Sequence, residues 1–506
     1  MASRSNKGID WSIILIVLVI MAFGVANIYS VDADYGIKQV VRIGLGFVMI
    51  MAFLVISSIA RNFFDIYAFV FYLLGVLSLV GVLFFGKEIN GAKAWYSIGG
   101  VGIQPVELMK IATGLMIAHV VNIPGNTLDK KNVLFTCLAL IGIPGILILL
   151  QPDVGSLFVF VAFLLAMYRE GMHPGILFIP IIFGLVFLGS ILLNPISLML
   201  VLGIIVWFLS TLFLLLFSKS TLSYQGLYGA IGFFCGLGTY FIFLMFFFEF
   251  FWKDYGLTEL FMSRKSIFYS ITSFGMGLIS LITALCIYLS FGNNHKTISK
   301  FTKIKAANTR YFLTSWLSIS VSFIILFGIS FYAEPILNKL PIHQRERILV
   351  LFEGESKYRD TSGYNLLYSK TAIGSGELWG AGWNKGTVTD GRFVPEQWTD
   401  YIFCTVGEEW GFVGSSILVI LYAILIGRIF YLAEVQKTIF ARFFGYTVGS
   451  IILLHFFINI GMVMGLFPTV GIPLPFLSYG GSSLWGFMLM LFIFLRLNYD
   501  NEQSFL

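Results

Sequence analysis

Charge is what this chain has least of. Asp, Glu, Lys and Arg make up 11% of its 506 residues, against about a quarter in a soluble domain. That excludes an ordinary water-soluble globule. The four cysteines, Cys137, Cys235, Cys286 and Cys404, stand alone in or beside apolar segments without CxxC spacing, which is weak ground for a disulfide framework or a zinc site. The five histidines are scattered and form no metal motif. The net charge of +6 is modest, and the Lys and Arg form no basic groove or aromatic-basic module, so nucleic acid is not an expected partner. The apolar stretches are continuous, not alternating, which argues against a β-barrel.

What remains is apolar: 58% of the residues are hydrophobic. A membrane span needs roughly 20 apolar residues. Such runs lie at about 11–30, 38–58, 66–86, 104–122, 133–150, 154–168, 175–193, 197–217, 227–251, 267–291, 311–332, 402–427, 443–466 and 482–496. The expected fold is an all-α polytopic membrane protein of about fourteen spans. The first run follows Arg4 and Lys7, but no small-residue cleavage pattern comes after it, so it reads as a helix that stays. With the N-terminus inside, the inner segments hold sixteen Lys and Arg and the short outer loops seven, which fits the positive-inside rule. An even number of spans then puts the C-terminus inside too.

One long stretch, from about Pro341 to Asp400, breaks the apolar pattern. It carries glycines, charges, tryptophans and tyrosines and contains no span. The topology places it outside the membrane. Two further polar pieces fall on the same face: GKEINGAKAWYSIGGVGIQP before the fourth span and FPTVGIPLPFLSYGGSS before the last. The second is too rich in Pro and Gly for a plain helix and is expected to dip into the membrane, buried in protein or lining a cavity. The chain therefore divides into an N-terminal membrane part (1–196), a Phe-rich addition of four spans (197–332), the large outer loop (333–401) and a C-terminal membrane part (402–506). Within the addition, Gly232 and Gly236 are spaced for close helix packing, and its plain reading is a lipid-facing or partner-facing surface.

Ionisable residues inside spans are costly and often functional. Glu107 and Lys110, three apart in QPVELMKIA, share a helix face. They read either as a neutralised pair holding helices together or as a Lys reaching toward an anionic ligand. Asp153, in QPDVG, reads first as a helix N-cap and second as a ligand contact. Asp400, in PEQWTDYIF, stands where the polar stretch becomes an apolar helix, between interfacial aromatics Trp398 and Tyr401. Glu408 and Glu409 follow inside the membrane and are expected to partner cations. Arg345, Arg347, Lys370, Lys385 and Arg392 are the loop's cations, and an ordinary solvated loop also accounts for them. GSGELWGAGWNKG lacks GxGxxG spacing and has no strand before it, which excludes a Rossmann or P-loop reading.

Several segments together resemble the SEDS family (shape, elongation, division and sporulation proteins). They are Lys38-Gln39 opening the second span, GAKAWYSIGGVGIQPVELMKIA, QPDVGS, YSKTAIGSGELWGAGWNKGT, FVPEQWTDYIFCTVGEEWGFVGS, NIGMVMGLFPTVGIPLPFLSYGGSS and the closing helix. They occur in the family's order and cover most of the chain outside 197–332. QRERILVLF and AIGSGELWGAGW resemble the RodA (elongation) branch more than the FtsW (division) branch. The family core has ten spans, so 197–332 looks like an insertion of four. The chain departs from the family at FEGESKYRDTSGYN, at Tyr368 where Gln is usual and at Trp398 where His is usual.

The resemblance implies a peptidoglycan glycosyltransferase of the bacterial cytoplasmic (inner) membrane. Such proteins polymerise lipid II on the outer face, with a class B penicillin-binding protein as transpeptidase partner and other elongation-complex membrane proteins nearby. The family's essential aspartate matches Asp400, and its membrane Glu and Lys match Glu107 and Lys110. The substrate contacts expected with them are Lys38, Arg345, Arg347, Lys370, Trp95, Asp153 and Ser478. The chemistry agrees. A glycosidase pairs two carboxylates because its leaving group is poor. A pyrophosphate donor needs one base, together with cations for the departing charge. Asp400 is then a general base in an inverting displacement, or else a ligand of a divalent cation (Mg or Mn). Lys110, Arg345, Arg347 or that metal would meet the pyrophosphate. Two other readings are a flippase of lipid-linked precursors and a non-catalytic scaffold.

Overall fold

The computed structural model describes residues 10–57, 62–89, 91–98, 101–177, 180, 184 and 342–503. Residues 1–180 and 342–506 form one compact unit and 181–341 another. The expected spans at 197–217, 227–251, 267–291 and 311–332, and most of 175–193, lie outside the described residues.

The first unit is a helical bundle. Its elements are α1 (Trp11–Val31), α2 (Ala33–Ser57), α3 (Phe63–Ile66), α4 (Ala68–Phe85), β1 (Lys87–Ile89), β2 (Ala92–Ile98), β3 (Val101–Ile103), α5 (Pro105–Asn122), α6 (Lys131–Leu150), α7 (Val154–Val159), α8 (Val161–Arg169), α9 (Ile342–Glu353), α10 (Tyr364–Ser375), α11 (Thr387–Asp390), α12 (Ile402–Glu434), α13 (Ile439–Val463) and α14 (Ser482–Gln503). Among the described residues, seven helices are long and apolar enough to cross a membrane: α1, α2, α4, α6, α12, α13 and α14. α13 is central. It packs on α5, α8, α12 and α14, and two-thirds of its apolar stretch is buried against 17% for peripheral α2. Small residues permit the close approach: a Cβ on Gly114 would lie 2.9 Å from Thr447 of α13. Where lipid replaces water, such packing rather than the hydrophobic effect holds helices together.

Two ends of the bundle differ in chemistry. At one end α1, α8, α12 and α13 are tied by Arg428–Asp10 (2.7 Å), Arg442–Glu170 (2.6 Å) and Arg169–Glu434. At the other end gather the start of α12, the end of α13, the start of α5 and the polar segments. Arg169, Arg428 and Arg442 thus share one end of the bundle.

The all-helical expectation needs one correction. Between α4 and α5 the chain forms a three-stranded antiparallel sheet in the order β1-β2-β3, pairing Lys87 with Trp95 and Ser97 with Gly102. A left-handed glycine, Gly91 (φ 82°), makes its first turn, and AKAWYSI forms the central strand. The polar stretch after 341 is also more ordered than a loop: α10 and α11 pack on each other and on α12, and α9 meets α10 through a short 3-10 turn at Glu355–Tyr358. α12 is not a simple span: its backbone breaks at Gly411 (φ 63°, ψ −161°).

The segment between α13 and α14 is irregular, as its Pro and Gly content implied. Leu474, Phe476 and Leu477 are buried in it. Its backbone groups find partners one by one. Leu474 N donates to Ser478 Oγ (2.8 Å), Gln39 Nε2 to the Ser478 carbonyl (3.2 Å), and Tyr422 to the Pro475 carbonyl. Protein groups thus satisfy irregular backbone here, the condition under which it persists at membrane depth.

Candidate functional site

Asp400 ends the polar stretch, two residues before α12. The four residues up to it are fixed at three points. Gln397, fully buried, donates to Thr389 (2.9 Å) and Thr405 (2.8 Å). The Trp398 carbonyl accepts from Tyr479 N (2.8 Å). The Asp400 carbonyl accepts from Asn459 Nδ2 on α13 (2.8 Å). The carboxylate itself rests against the irregular segment: a Cβ on Gly471 (φ 71°) would lie 3.1 Å from Asp400 Oδ2. Asp400 as a residue is half-buried, with protein crowded around its carboxyl group. Burial pushes its pKa up to about 7, aided by the charges of Glu396 and Asp153 and opposed by the Arg347 guanidinium. A carboxyl poised there suits proton transfer at neutral pH.

Asp153 caps α7, accepting from Ser156 N (3.0 Å) and Ser156 Oγ (2.7 Å), and Gln104 Nε2 donates to it across the gap from α5 (2.9 Å). The cap and the electrostatic link to Asp400 coexist. Arg347, on α9, is the cation that acts on Asp400, while Arg345 on the same helix is exposed. Lys370 is paired with Glu355 (3.3 Å). Lys38 is exposed and lies over the Tyr35 ring (5.3 Å), which in turn stacks on Trp398 (4.6 Å). Ser478 is buried, its hydroxyl taken by Leu474 N. Trp95, on β2, covers Gly102 at 3.2 Å from where a Cβ would sit.

Glu107 and Lys110 form a buried ion pair (2.8 Å), both at or below 5% exposed. The ammonium has a second partner, His455 Nε2 (3.1 Å), and faces the Phe487 ring (5.2 Å). Removing one member of such a pair leaves the other charge buried and alone. Lys110→Met is therefore expected to destabilise the protein by about 3–5 kcal/mol, read as a lowered unfolding temperature in detergent. Glu107→Gln with Lys110→Met should lose less than the sum of the single changes.

The expectation that Glu408 and Glu409 partner cations is overturned. Glu408 accepts from the amides of Val388 (2.7 Å) and Thr389 (3.0 Å) and from the Thr389 hydroxyl (2.7 Å), and Glu409 accepts from the Ser30 hydroxyl. Oriented N–H and O–H dipoles replace a counter-ion. Sequence reasoning missed Asn459 and His455. The signal was present: two polar residues four apart in an otherwise apolar helix.

The same positions can be set beside known proteins. A family model of the FtsW, RodA and SpoVE cell cycle proteins matches residues 10–209 and 303–503. The chain belongs to the FtsW/RodA/SpoVE family. Along its whole length it is similar to the peptidoglycan glycosyltransferase RodA of Treponema pallidum, 27% identical over 98% of this chain and 99% of that protein. It is similar also to the peptidoglycan glycosyltransferase MrdB of Escherichia coli K12, 26% identical over 96% of this chain and 94% of the relative. The probable FtsW of Neisseria gonorrhoeae matches 32% of this chain, at 35% identity. This member of the family therefore lies with RodA. Two solved structures share its fold. One is a chain of a peptidoglycan synthase complex (TM-score 0.58, 20% identical, 97% of this chain and 98% of that one), and the other is the rod shape determining protein RodA of Thermus thermophilus (TM-score 0.52, 18% identical, 97% of each).

Proposed function

We propose that this protein is a peptidoglycan glycosyltransferase that polymerises lipid II into glycan strands during cell elongation. The observation that carries the reading is Asp400: a carboxyl whose pKa burial pushes up to about 7, fixed through its backbone at one end of a RodA-like bundle. Asp400 takes the proton from the acceptor sugar's 4-hydroxyl as that oxygen attacks the donor's anomeric carbon. The bond to the pyrophosphate breaks, inverting the centre and releasing undecaprenyl pyrophosphate. Arg347 is the cation nearest this event in electrostatic terms, with the exposed Arg345 and Lys38 available to the departing phosphates. Lys110 enters as one half of a buried pair rather than as a free cation.

Among the described residues no cluster of three or more His, Cys, Asp or Glu could enclose a metal ion. The donors beside Asp400 are nonetheless carboxylate oxygens, the type that suits Mg²⁺ or Mn²⁺ bound mainly through substrate phosphates. Asp400 and Glu396 would hold such an ion, and its contribution would be to neutralise pyrophosphate charge. The Asp153 oxygens are already engaged by Ser156 and Gln104.

The reading places the protein in the inner membrane of a bacterium with both termini inside, Asp400 at the outer face and a class B penicillin-binding protein beside it within the elongation complex. Residues 197–332 are proposed as a four-span addition to a ten-span core. The test is purified protein, with and without the transpeptidase, incubated with labelled lipid II. Glycan chains that disappear in Asp400→Ala while partner binding persists support the proposal. Transport of labelled lipid II across vesicles without polymer would favour a flippase. Neither activity, with the partner still stimulated, would leave a scaffold.

A further inference from the structure

α13 presents two polar side chains on consecutive turns, His455 and Asn459, both essentially inaccessible to solvent. Four apart, they share a face, and that face meets the irregular segment at residues 472–473. Pro473 contributes a carbonyl, which can only accept, so His455 Nδ1 carries the proton and donates to it (3.0 Å). Nε2 is then the lone-pair nitrogen and accepts from Lys110 (3.1 Å). The tautomer is set by its two neighbours. Asn459 spends both amide hydrogens, one on the Asp400 carbonyl (2.8 Å) and one on the Ile472 carbonyl (2.6 Å). Its own oxygen is buried without a partner. Two carbonyls from different segments thus meet one amide group, and asparagine supplies the two donors they need.

These bonds join into one path: Glu107 to Lys110, Lys110 to His455, His455 to Pro473, then along the chain to Ile472, and through Asn459 to Asp400. Gly471, next in the chain, lies against the Asp400 carboxylate. Shifting Pro473 therefore shifts the wall on which the carboxylate rests. We propose that His455 and Asn459 are positioning residues for Asp400, His455 through its bond to Pro473 and Asn459 through its bonds to Ile472 and Asp400. This rests on the reading of Asp400 as the base.

The test measures kcat and KM for lipid II polymerisation, together with the unfolding temperature, on the full-length protein with its transpeptidase partner. Misplacing a catalytic group by about 1 Å lowers rate by up to about 100-fold. His455→Phe, which loses both bonds, should lower kcat about tenfold with KM within about twofold. His455→Asn places an amide nitrogen where Nδ1 stood, keeps the bond to Pro473 and should restore most of kcat. His455→Gln reaches the Nε2 position, serves Lys110 only and should stay low. Asn459→Leu, which strips both carbonyls of their donor, should lose about 100-fold. An unchanged kcat in His455→Phe overturns the inference, as does equal rescue by Asn and Gln, or a kcat that merely follows the unfolding temperature across the series. Asp400→Asn in the same assay separates the two levels. If it is inactive while His455→Phe is normal, only the positioning role fails. If it is active, the assignment of the base fails.

Discussion

Asp400→Asn is expected to lower polymerisation by about 10²–10⁴-fold while the protein still folds. The substitution keeps the shape of the side chain and its backbone contact with Asn459, and removes only the ability to take a proton. General-base help is worth about 10²–10⁴-fold, so residual activity at the lower bound would still be detectable. In the parent protein the rate should rise with pH and level off above about 7, where the carboxyl has ionised. Stability should run the opposite way. An unfolded Asp loses its proton near 3.8, the folded one at about 7. Between those values the folded state holds the extra proton, so stability falls as pH rises, and above about 7 the folded protein carries the whole penalty of a buried charge. Asn has no such penalty. Asp400→Asn should therefore unfold at a higher temperature than the parent, by a margin that grows from pH 4 to 7 and is constant beyond. A variant that is inactive and less stable at pH 8 would point to a structural role for the carboxylate instead. A variant that still polymerises at the parent's rate would remove Asp400 from the mechanism.

The site was legible in sequence where single residues announce themselves by contrast. Asp400 stood out because a carboxylate met an apolar helix, and Asp153 because an acid preceded one; its cap on α7 is what that position supplies. The irregular segment was legible because proline and glycine forbid a plain helix. What could not be read were contacts between distant segments. His455 and Asn459 look inert one at a time, and only the fold shows that they face Pro473, Ile472 and Asp400. Glu408 and Glu409 were assigned cationic partners because charges usually pair. In the fold, backbone amides and hydroxyls of 388–389 and Ser30 do that work, and nothing local marks them as donors. The small sheet before α5 escaped notice because its strands are three to seven residues long and lie between two strong helical signals.

Gly380→Ala is expected to damage the protein far more than its size suggests, because of what the glycine-rich stretch does. A continuous α12 would bond Phe412 N to the Glu408 carbonyl and Val413 N to the Glu409 carbonyl. The break at Gly411 opens both pairs, and residues 377–382 fill the gap. Phe412 N donates to the Glu377 carbonyl (2.9 Å) and Val413 N to that of Leu378 (3.1 Å). Ala381 N and Gly382 N donate to the freed carbonyls of Glu408 (2.9 Å) and Glu409 (3.0 Å). Four bonds between segments thus replace two within the helix, and the half-helix that begins beside Asp400 is locked to residues 377–382. Backbones must touch for this. Gly380 adopts φ 81°, and a Cβ there would overlap the Glu409 carbonyl. Left-handed strain of about 1–3 kcal/mol adds to overpacking of about 1–3 kcal/mol. Gly374→Ala is the control, since that helical glycine has open space around it and alanine there should be neutral or stabilising by about 0.5–1 kcal/mol. Amide hydrogen exchange reads the lock directly: Gly380→Ala should release protection at Ala381, Gly382, Phe412 and Val413 together, and lower polymerisation with it. If those four amides stay as protected as in Gly374→Ala, the stretch is not what holds the broken helix. The position of Asp400 must then be set by Gln397, Tyr479 and Asn459 alone.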